Sequence, residues 1–261
     1  MKIVIHEFQE FKDSITAISE LINEATIKVS KEQERLELVA MDPANVAMVI
    51  FKYPAAKCVE WDVDKDYSLS INFANFKQIL KRGSSKDIFS MVYTEKQDED
   101  QVKGLLGLRF NNNRIFNMPL IELEDKEVKL PNLVLPVQVK MPCSYFNSAV
   151  GDVDVVGESV AFIIDENKKF KLLSEGDLNK VNIEFDDEKA KEGVEAVITI
   201  KSEGKVKAKY SIEYLKKMIA GAKISERVII EFNQDYPLSM KYIVDGGMSL
   251  QYILAPRVDN D

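Results

Sequence analysis

The chain has few of the residues on which most enzymes and metal sites depend. Its 261 residues include one histidine and two cysteines. A single histidine excludes most zinc sites, and it excludes every catalytic triad that does not use His6. Cys58 and Cys143 lie far apart in the sequence, which indicates a reducing compartment and no disulfide framework.

Long apolar runs are missing as well. The longest covers six residues, Val46 to Phe51, whereas a membrane-spanning helix needs about 18. After Lys2 only Ile3, Val4 and Ile5 precede His6, so no signal-peptide core is expected. Acidic residues outnumber basic ones 43 to 35, for a net charge of −8. That surplus argues at first sight against a nucleic-acid partner, but it does not say where the charges lie.

Motifs for phosphates, cofactors and metals are absent or incomplete. Neither the P-loop pattern nor the dinucleotide-binding glycine pattern occurs. The segment 62–66 begins like a calcium loop, but Tyr67 stands where an EF-hand needs glycine. The Gly246–Gly247 pair is typical of a turn between strands. We therefore predict that the chain is not an enzyme and holds no metal or cofactor.

What the sequence does contain is an internal repeat. Apolar residues three and four apart predict helices over 8–24 and 75–82, and alternating runs predict antiparallel strands between and after them. The same order returns in the second half at an offset of 135 to 138 residues. The matched pairs are Phe11 with Phe146, Ile15 with Val150, Ile18 with Val153, Phe76 with Tyr214, Leu80 with Met218, and Gly83 with Gly221. A near-constant offset indicates a duplication.

The repeat predicts an α+β protein of two similar domains, each with two helices packed on antiparallel sheets. We place the domains at 1–119 and 137–261, with a connector at 120–136. Two prolines and the lack of a helical period predict an extended connector. A plain linker is one interpretation, but the apolar Val128, Leu130 and Leu133 favour a segment that packs on a surface and stays partly exposed.

Basic residues concentrate on the predicted helices, on the side away from the apolar residues. They are Lys12 on the first helix, Lys77, Lys81 and Arg82 on the second, and Lys216, Lys217 and Lys223 on its counterpart in the second half. Acidic residues, including the run 95–100, fall mainly in predicted loops. A basic helix face is typical of a solvated surface or of one that contacts phosphates without reading bases, and the pattern leaves both open.

Several segments resemble the proliferating cell nuclear antigen family of DNA sliding clamps, in order and over essentially the whole chain. They are residues 21–25 (LINEA), 36–47 (LELVAMDPANVA), 76–81 (FKQILK), 139–142 (VKMP) and 252–258 (YILAPRV). The short tail and lysine-rich helices are similar to archaeal members. The resemblance implies a pseudo-six-fold ring of three subunits, with helices lining a hole that encircles double-stranded DNA. It implies that the seven cations above attract the DNA backbone non-specifically.

The resemblance also implies a pocket beneath the interdomain loop. There, client proteins such as DNA polymerase, flap endonuclease, DNA ligase and the clamp loader insert a short motif with a glutamine and bulky apolar anchors. The matching positions are Met41, Asn45, Val46, Met48, Val128, Leu130, Pro131, Pro237, Tyr252, Ile253, Ala255 and Pro256. Ordinary core is the alternative interpretation of Met41, Val46 and Met48.

For the ring joint, the family pairs an edge strand of one domain with an edge strand of the neighbouring subunit. The corresponding segments are about 114–118 and about 173–181, and the expected interface residues are Arg114, Ile115, Phe116, Leu173 and Leu178. One departure concerns the helix predicted over 143–156, which carries Asp152 and Asp154 and no basic residue. Either this arc contacts DNA little, or a neighbouring subunit supplies the charge.

These expectations describe a processivity factor and docking platform, without enzymatic activity, in a homotrimer or heterotrimer. Its location would be cytoplasmic and nucleoid-associated in an archaeon, or nuclear in a eukaryote. The alternative function is a clamp-like checkpoint subunit of a heteromeric ring, acting as a DNA-damage scaffold.

Overall fold

The computed structural model describes residues 1–98, 101–111, 113–124, 128–185, 197–201 and 204–258, except for the side chains at 95–98 and 101–103. The acidic runs at 186–188 and 259–261 therefore lie outside the described residues. The chain forms two compact units. Unit 1 comprises Met1–Pro43, Val49–Val128 and Val244–Leu250, and unit 2 comprises Ala44–Met48, Lys129–Ile243 and Gln251–Asp261. Each unit thus contains a short segment from the opposite half of the sequence.

Unit 1 contains two helices and two antiparallel sheets. Its elements are β1 (Lys2–Ile5), α1 (Phe8–Ile18), β2 (Glu24–Ser30), β3 (Arg35–Met41), most of β4 (Ala47–Pro54), β5 (Cys58–Asp62), β6 (Tyr67–Asn72), α2 (Phe73–Leu80), β7 (Phe89–Asp98), β8 (Gln101–Phe110) and β9 (Arg114–Pro119). One sheet has the order β5-β1-β7-β8-β9, and the other strands follow the order β4-β3-β2-β6. The two helices contact each other.

Unit 2 repeats this design. Its elements are β10 (Val137–Pro142), α3 (Cys143–Asp154), β11 (Ser159–Ile164), β12 (Phe170–Glu175), β13 (Lys180–Phe185), β14 (Val197–Ile200), β15 (Val206–Ser211), α4 (Ile212–Met218), β16 (Arg227–Phe232), β17 (Leu238–Ile243) and most of β18 (Ser249–Leu254). The strands follow the orders β13-β12-β11-β15 and β14-β10-β16-β17-β18. The predicted fold class is confirmed.

The helices end earlier than their apolar periodicity predicts. The expected helix over 8–24 is α1, which stops at Ile18, although Leu21 and Ile22 remain buried. The Ser19 hydroxyl donates a hydrogen bond to the Thr16 carbonyl oxygen at 2.7 Å, a local bond that competes with helix continuation. The periodicity runs on because the turn after α1 packs on the same core.

The second helix starts two residues before its predicted first residue. α2 begins at Phe73 because Asn72 caps it, with its Oδ1 accepting a hydrogen bond from the Asn75 backbone nitrogen at 3.0 Å. The first helix of the second half, predicted over 143–156, is α3 and ends at Asp154.

The charge run 95–100, expected in a loop, is largely strand. β7 continues to Asp98, β8 begins at Gln101, and the backbones pair in register from Glu95 with Gly104 onward. The loop prediction relied on the charged side chains, but the pairing of two strands depends on backbone hydrogen bonds, which form whatever the side chains are.

Clusters of aromatic side chains fill the space between the helices and sheets. In unit 1 the ring centroids of Phe8 and Phe89 lie 4.9 Å apart. In unit 2 the Phe162 ring contacts four others, among them Tyr210 at 5.1 Å and Phe232 at 5.9 Å. These buried rings hold the apolar faces of the helices and direct their polar faces outward.

The glycines that the repeat aligns each lie against a buried ring. A Cβ added to Gly83 would lie 2.5 Å from a Phe110 ring carbon, and a Cβ added to Gly221 would lie 2.3 Å from a Tyr242 ring carbon. Both rings are fully buried and cannot move aside without repacking. The duplication has therefore kept glycine here for close packing.

Alanine at either position is expected to destabilise the protein. We expect Gly83→Ala and Gly221→Ala each to lower the free energy of unfolding by about 1–3 kcal/mol through overpacking. Gly151→Ala is the matched control: it lies within α3 with open space around it, and it should stabilise by about 0.5–1 kcal/mol. Thermal or urea denaturation measures all three. A stable Gly83→Ala protein would contradict the packing argument.

Candidate DNA and partner interfaces

The basic residues of unit 1 lie at the end of α2 and on the exposed side of α1. Lys81 and Arg82 follow the last residue of α2 and are exposed. Lys12 donates from Nζ to the Gly83 carbonyl oxygen at 3.3 Å and lies over the Phe8 ring. Lys77 forms an ion pair with Glu20, 2.8 Å from Nζ to Oε1. The predicted cations of unit 1 therefore share a helix pair, with one of them neutralised.

The basic residues of unit 2 are largely paired with carboxylates. Lys216 on α4 forms an ion pair with Asp154 on α3 at 2.7 Å, and Lys217 pairs with Glu213 at 2.8 Å. The hydrogen bond from Lys217 holds the pKa of the Glu213 carboxyl below its usual value. Lys223 ends the 3-10 turn Ile219–Lys223 and is exposed.

Sequence reasoning missed these neutralising pairs. Only the pair between Glu213 and Lys217 has a signal in the sequence, since helical residues four apart lie on the same face. The other two, Lys77 with Glu20 and Lys216 with Asp154, join residues from different helical segments. Among the described residues, Lys81, Arg82 and Lys223 make no ion pair through their side chains.

The predicted partner-binding residues gather mainly in unit 2. The members there are Asn45, Val46, Met48, Leu130, Pro131, Pro237, Tyr252, Ile253, Ala255 and Pro256, whereas Met41 and Val128 belong to unit 1. The Ala255 backbone nitrogen donates to the Val46 carbonyl oxygen at 3.0 Å, which joins the tail to the segment Ala44–Met48. Met48, Tyr252 and Ile253 are buried there, and Asn45 and Ala255 are exposed. Core is thus a correct description of Met48, and the exposed residues are those that a ligand could reach.

Supporting hydrogen bonds hold the neighbouring backbone in place. Tyr210 donates from its hydroxyl to the Tyr236 carbonyl oxygen at 2.7 Å, next to Pro237. The backbone nitrogen of Arg257 donates a hydrogen bond to the Lys209 carbonyl oxygen at 2.7 Å, which attaches the tail to β15. These hydrogen bonds could not be predicted from the sequence, because their acceptors are backbone carbonyl oxygens, which every residue has.

The connector is hydrogen-bonded to unit 2 near its C-terminal end, and its apolar residues Leu130 and Val134 are exposed. The Asn233 side chain donates from Nδ2 to the Val134 carbonyl oxygen at 3.2 Å. The backbone nitrogen of Lys201 donates to the Pro136 carbonyl oxygen at 2.8 Å. Leu130 is 52% exposed and Val134 is 69% exposed. The described part of the connector has no helix or strand, which agrees with the extended prediction.

One expected edge strand is correctly placed and the other is not. β9 lies at the edge of its sheet, with Ile115 53% exposed, and Arg114 donates to the Arg82 carbonyl oxygen at 2.9 Å. The segment 173–181, however, is not one strand. Leu173 lies on β12, which has neighbours on both sides, and Leu178 lies in the turn before β13.

Among the described strands, the edges of that sheet are β13 and β15, and β13 is the edge beside β12. The Gly176 nitrogen donates to the Asn179 carbonyl oxygen at 2.9 Å, which makes the turn that separates β12 from β13. The expectation that 173–181 forms one edge strand was wrong, because the resemblance supplied a segment and not a strand boundary, and the interface role of Leu173 stays a prediction.

Both cysteines are unsuited to nucleophilic chemistry. Burial raises the pKa of the Cys58 thiol to about 12 and that of the Cys143 thiol to about 11. Cys143 also donates from Sγ to the Ser225 carbonyl oxygen at 3.2 Å. Both thiols are therefore protonated at neutral pH, whereas a nucleophile requires the thiolate.

In the parts of the chain that the structure describes, no cluster of three or more histidine, cysteine or carboxylate side chains is placed to hold a metal ion. No helix in these parts has the length and apolar composition needed to cross a membrane.

Comparison with known proteins decides the family. Residues 5–128 match the family model for the N-terminal domain of proliferating cell nuclear antigen, and residues 129–257 match the model for its C-terminal domain. A DNA polymerase sliding clamp from Thermococcus fumicolans is 33% identical over 261 residues, 99% of both chains. The chain belongs to the proliferating cell nuclear antigen (PCNA) family. The resemblance seen in the sequence is confirmed.

Solved PCNA structures share the fold. PCNA from Thermococcus kodakaraensis matches with a TM-score of 0.84 and 24% identity, over 98% of this chain and 99% of that one. A. fulgidus PCNA with the C-terminal region of FEN-1 bound matches with a TM-score of 0.82 and 24% identity, over 100% and 99% of the chains. The PCNA fold therefore extends across both units.

Proposed function

We propose that this chain is a subunit of a DNA polymerase sliding clamp. Its ring encircles duplex DNA, acts as a processivity factor and provides a docking platform for replication and repair proteins. The observation that carries the proposal is 33% identity, over essentially the full length of both chains, to a DNA polymerase sliding clamp. Residues 1–119 and 137–261 serve as the two clamp domains, and 120–136 as the loop between them.

The helix faces supply the contact with DNA. Lys12, Lys77, Lys81, Arg82, Lys216, Lys217 and Lys223 attract the phosphate backbone without reading sequence. The net charge of −8 does not oppose this role, because residues 73–82 contain three of these cations and no carboxylate. Retention on DNA is topological, so the attraction can be weak enough for sliding.

The cluster of unit 2 around Val46 and Ala255 supplies the docking site for client motifs. An exposed rim beside the buried Tyr252 and Ile253 suits apolar anchors that become desolvated on binding. The bound FEN-1 segment of the A. fulgidus relative supports this use of the fold. The clients are DNA polymerase, flap endonuclease, DNA ligase and the clamp loader.

The ring joint pairs β9 of one subunit with β13 of the next, in a homotrimer or with related subunits. Arg114, Ile115 and Phe116 lie on the first edge, and Leu178 precedes the second. Pairing the two edges satisfies their free backbone groups and removes a site of aggregation. The assembled protein is a scaffold without catalytic activity, associated with DNA inside the cell.

Primer extension tests this function. With a clamp loader and polymerase from an archaeal relative, the protein is expected to lengthen the products made per binding event on a circular primed template. A linear template with free ends is the control, because a topologically held ring slides off it. Equal product lengths with and without the protein on the circular template would contradict the proposal.

A further inference from the structure

We propose that Asp154 and Glu213 weaken the hold of unit 2 on DNA by neutralising the lysines of its helix face. The inference rests on the proposed clamp function and concerns how charge is divided between the two units. Asp154 lies 2.7 Å from the Lys216 Nζ, and Glu213 lies 2.8 Å from the Lys217 Nζ. Each carboxylate therefore occupies the place that a phosphate oxygen would take.

These ion pairs face solvent and do not belong to the core. The Lys216 side chain is 52% exposed and its Asp154 partner is 39% exposed, while Glu213 is 75% exposed. Exposed pairs of this kind contribute little to folding stability. Their effect is on the potential of the helix face, which a bound duplex would meet directly.

The two units differ in this respect. In unit 2 the cations and carboxylates of the helical segments are equal in number, namely Lys216, Lys217 and Lys223 against Asp152, Asp154 and Glu213. In unit 1 the two helices and the two residues after each carry four cations, Lys12, Lys77, Lys81 and Arg82, against three carboxylates, Glu10, Asp13 and Glu20. Lys77 pairs with Glu20, while Lys81 and Arg82 are exposed without an ion pair among the described residues. Unit 1 therefore has two exposed, unpaired cations at its helices where unit 2 has one, Lys223, and the stronger attraction is expected there.

The physical reason lies in the release of counterions. A free lysine that reaches a phosphate releases a condensed cation from the DNA, and this release drives binding. A lysine that is already paired contributes less, because its carboxylate is left unpaired and close to the phosphates, where like charges repel. The first helix of the second domain, which lacks basic residues, thus belongs to an arc with little net attraction.

The test measures duplex affinity of the full-length protein by fluorescence anisotropy across a series of salt concentrations. Asp154→Asn combined with Glu213→Gln is expected to raise affinity at low salt by about threefold or more and to steepen the salt dependence. The control combines Glu60→Gln with Glu37→Gln, which removes two carboxylates paired with Lys2 and Arg35 on strands outside the helix faces and the proposed ring joint. An equal rise in the control would overturn the inference, since net charge alone would then explain the effect.

A second comparison removes cations instead. Lys81→Gln with Arg82→Gln should lower affinity by about tenfold and reduce the salt slope by about two. Lys216→Gln with Lys217→Gln removes the same formal charge and should cause a distinctly smaller loss of both. Equal losses would overturn the inference. A wild-type protein with no duplex affinity at low salt and no effect in primer extension would instead overturn the proposed function.

Discussion

Leu130→Glu is expected to weaken the binding of a client-motif peptide by at least about thirtyfold while leaving the assembly intact. Leu130 lies on the connector and is 52% exposed, so its loss removes little from the folded core. In the proposed complex the side chain becomes buried beneath an apolar anchor. A carboxylate there would lose its hydration without gaining a partner, and that cost falls on the complex.

Isothermal titration calorimetry with a client peptide measures this effect, and Val134→Glu is the matched control. Val134 lies four residues further along the connector, is 69% exposed and is absent from the proposed pocket. Its substitution introduces the same charge and should change affinity by less than about threefold. If Val134→Glu were as damaging as Leu130→Glu, the effect would come from charge on the connector, and the pocket would be misplaced.

Ile115→Glu is expected to convert the assembled ring into single subunits at micromolar concentration. Ile115 is 53% exposed on β9, the edge strand proposed to pair with β13 of the neighbour. Burying a glutamate at that joint costs desolvation free energy that a strand pairing of this size does not recover. Size-exclusion chromatography with light scattering should show a fall from about three times 29.7 kDa to a single 29.7 kDa chain.

Ile243→Glu is the matched control for the ring joint. Ile243 is also 53% exposed, but it lies at the end of β17, which has neighbours on both sides. This variant should keep the mass of the wild-type protein. An unchanged mass for Ile115→Glu would show that β9 is not the joint. A wild-type protein that is itself monomeric would indicate that related subunits complete the ring.

The repeat and the helices followed from local patterns in the sequence. Phe8, Phe11 and Ile15 recur at helical spacing, and their burial on one face of α1 confirms the prediction. The helix ends were less accurate, because Leu21 and Ile22 continue the apolar pattern while the backbone has already turned. A pattern of burial records which side chains meet the core, and it does not record where the hydrogen bonds of a helix stop.

For the candidate interfaces, too, the sequence predicted some features and missed others. The positions of the basic residues on the helices were visible in the sequence, but their pairing was not. Lys216 and Asp154 are 62 residues apart and meet only because α3 and α4 pack together. The edge strand near Leu173 was misplaced for a similar reason, since the turn that ends β12 is closed by a backbone hydrogen bond from Gly176 to Asn179, and backbone bonds leave no pattern in the residue types.

Residue types and their spacings were enough to show the duplication, the two-domain α+β class and the family. Those properties depend on residue types and spacings, which folding does not alter. Three properties depend on the packing of distant segments: which cations have a carboxylate partner, which short segment of each unit comes from the opposite half of the sequence, and which strands lie at sheet edges. Net charge is a sum over residues, whereas attraction to DNA depends on where each charge stands relative to its neighbours. For this reason a chain with a charge of −8 can still present a basic helix face.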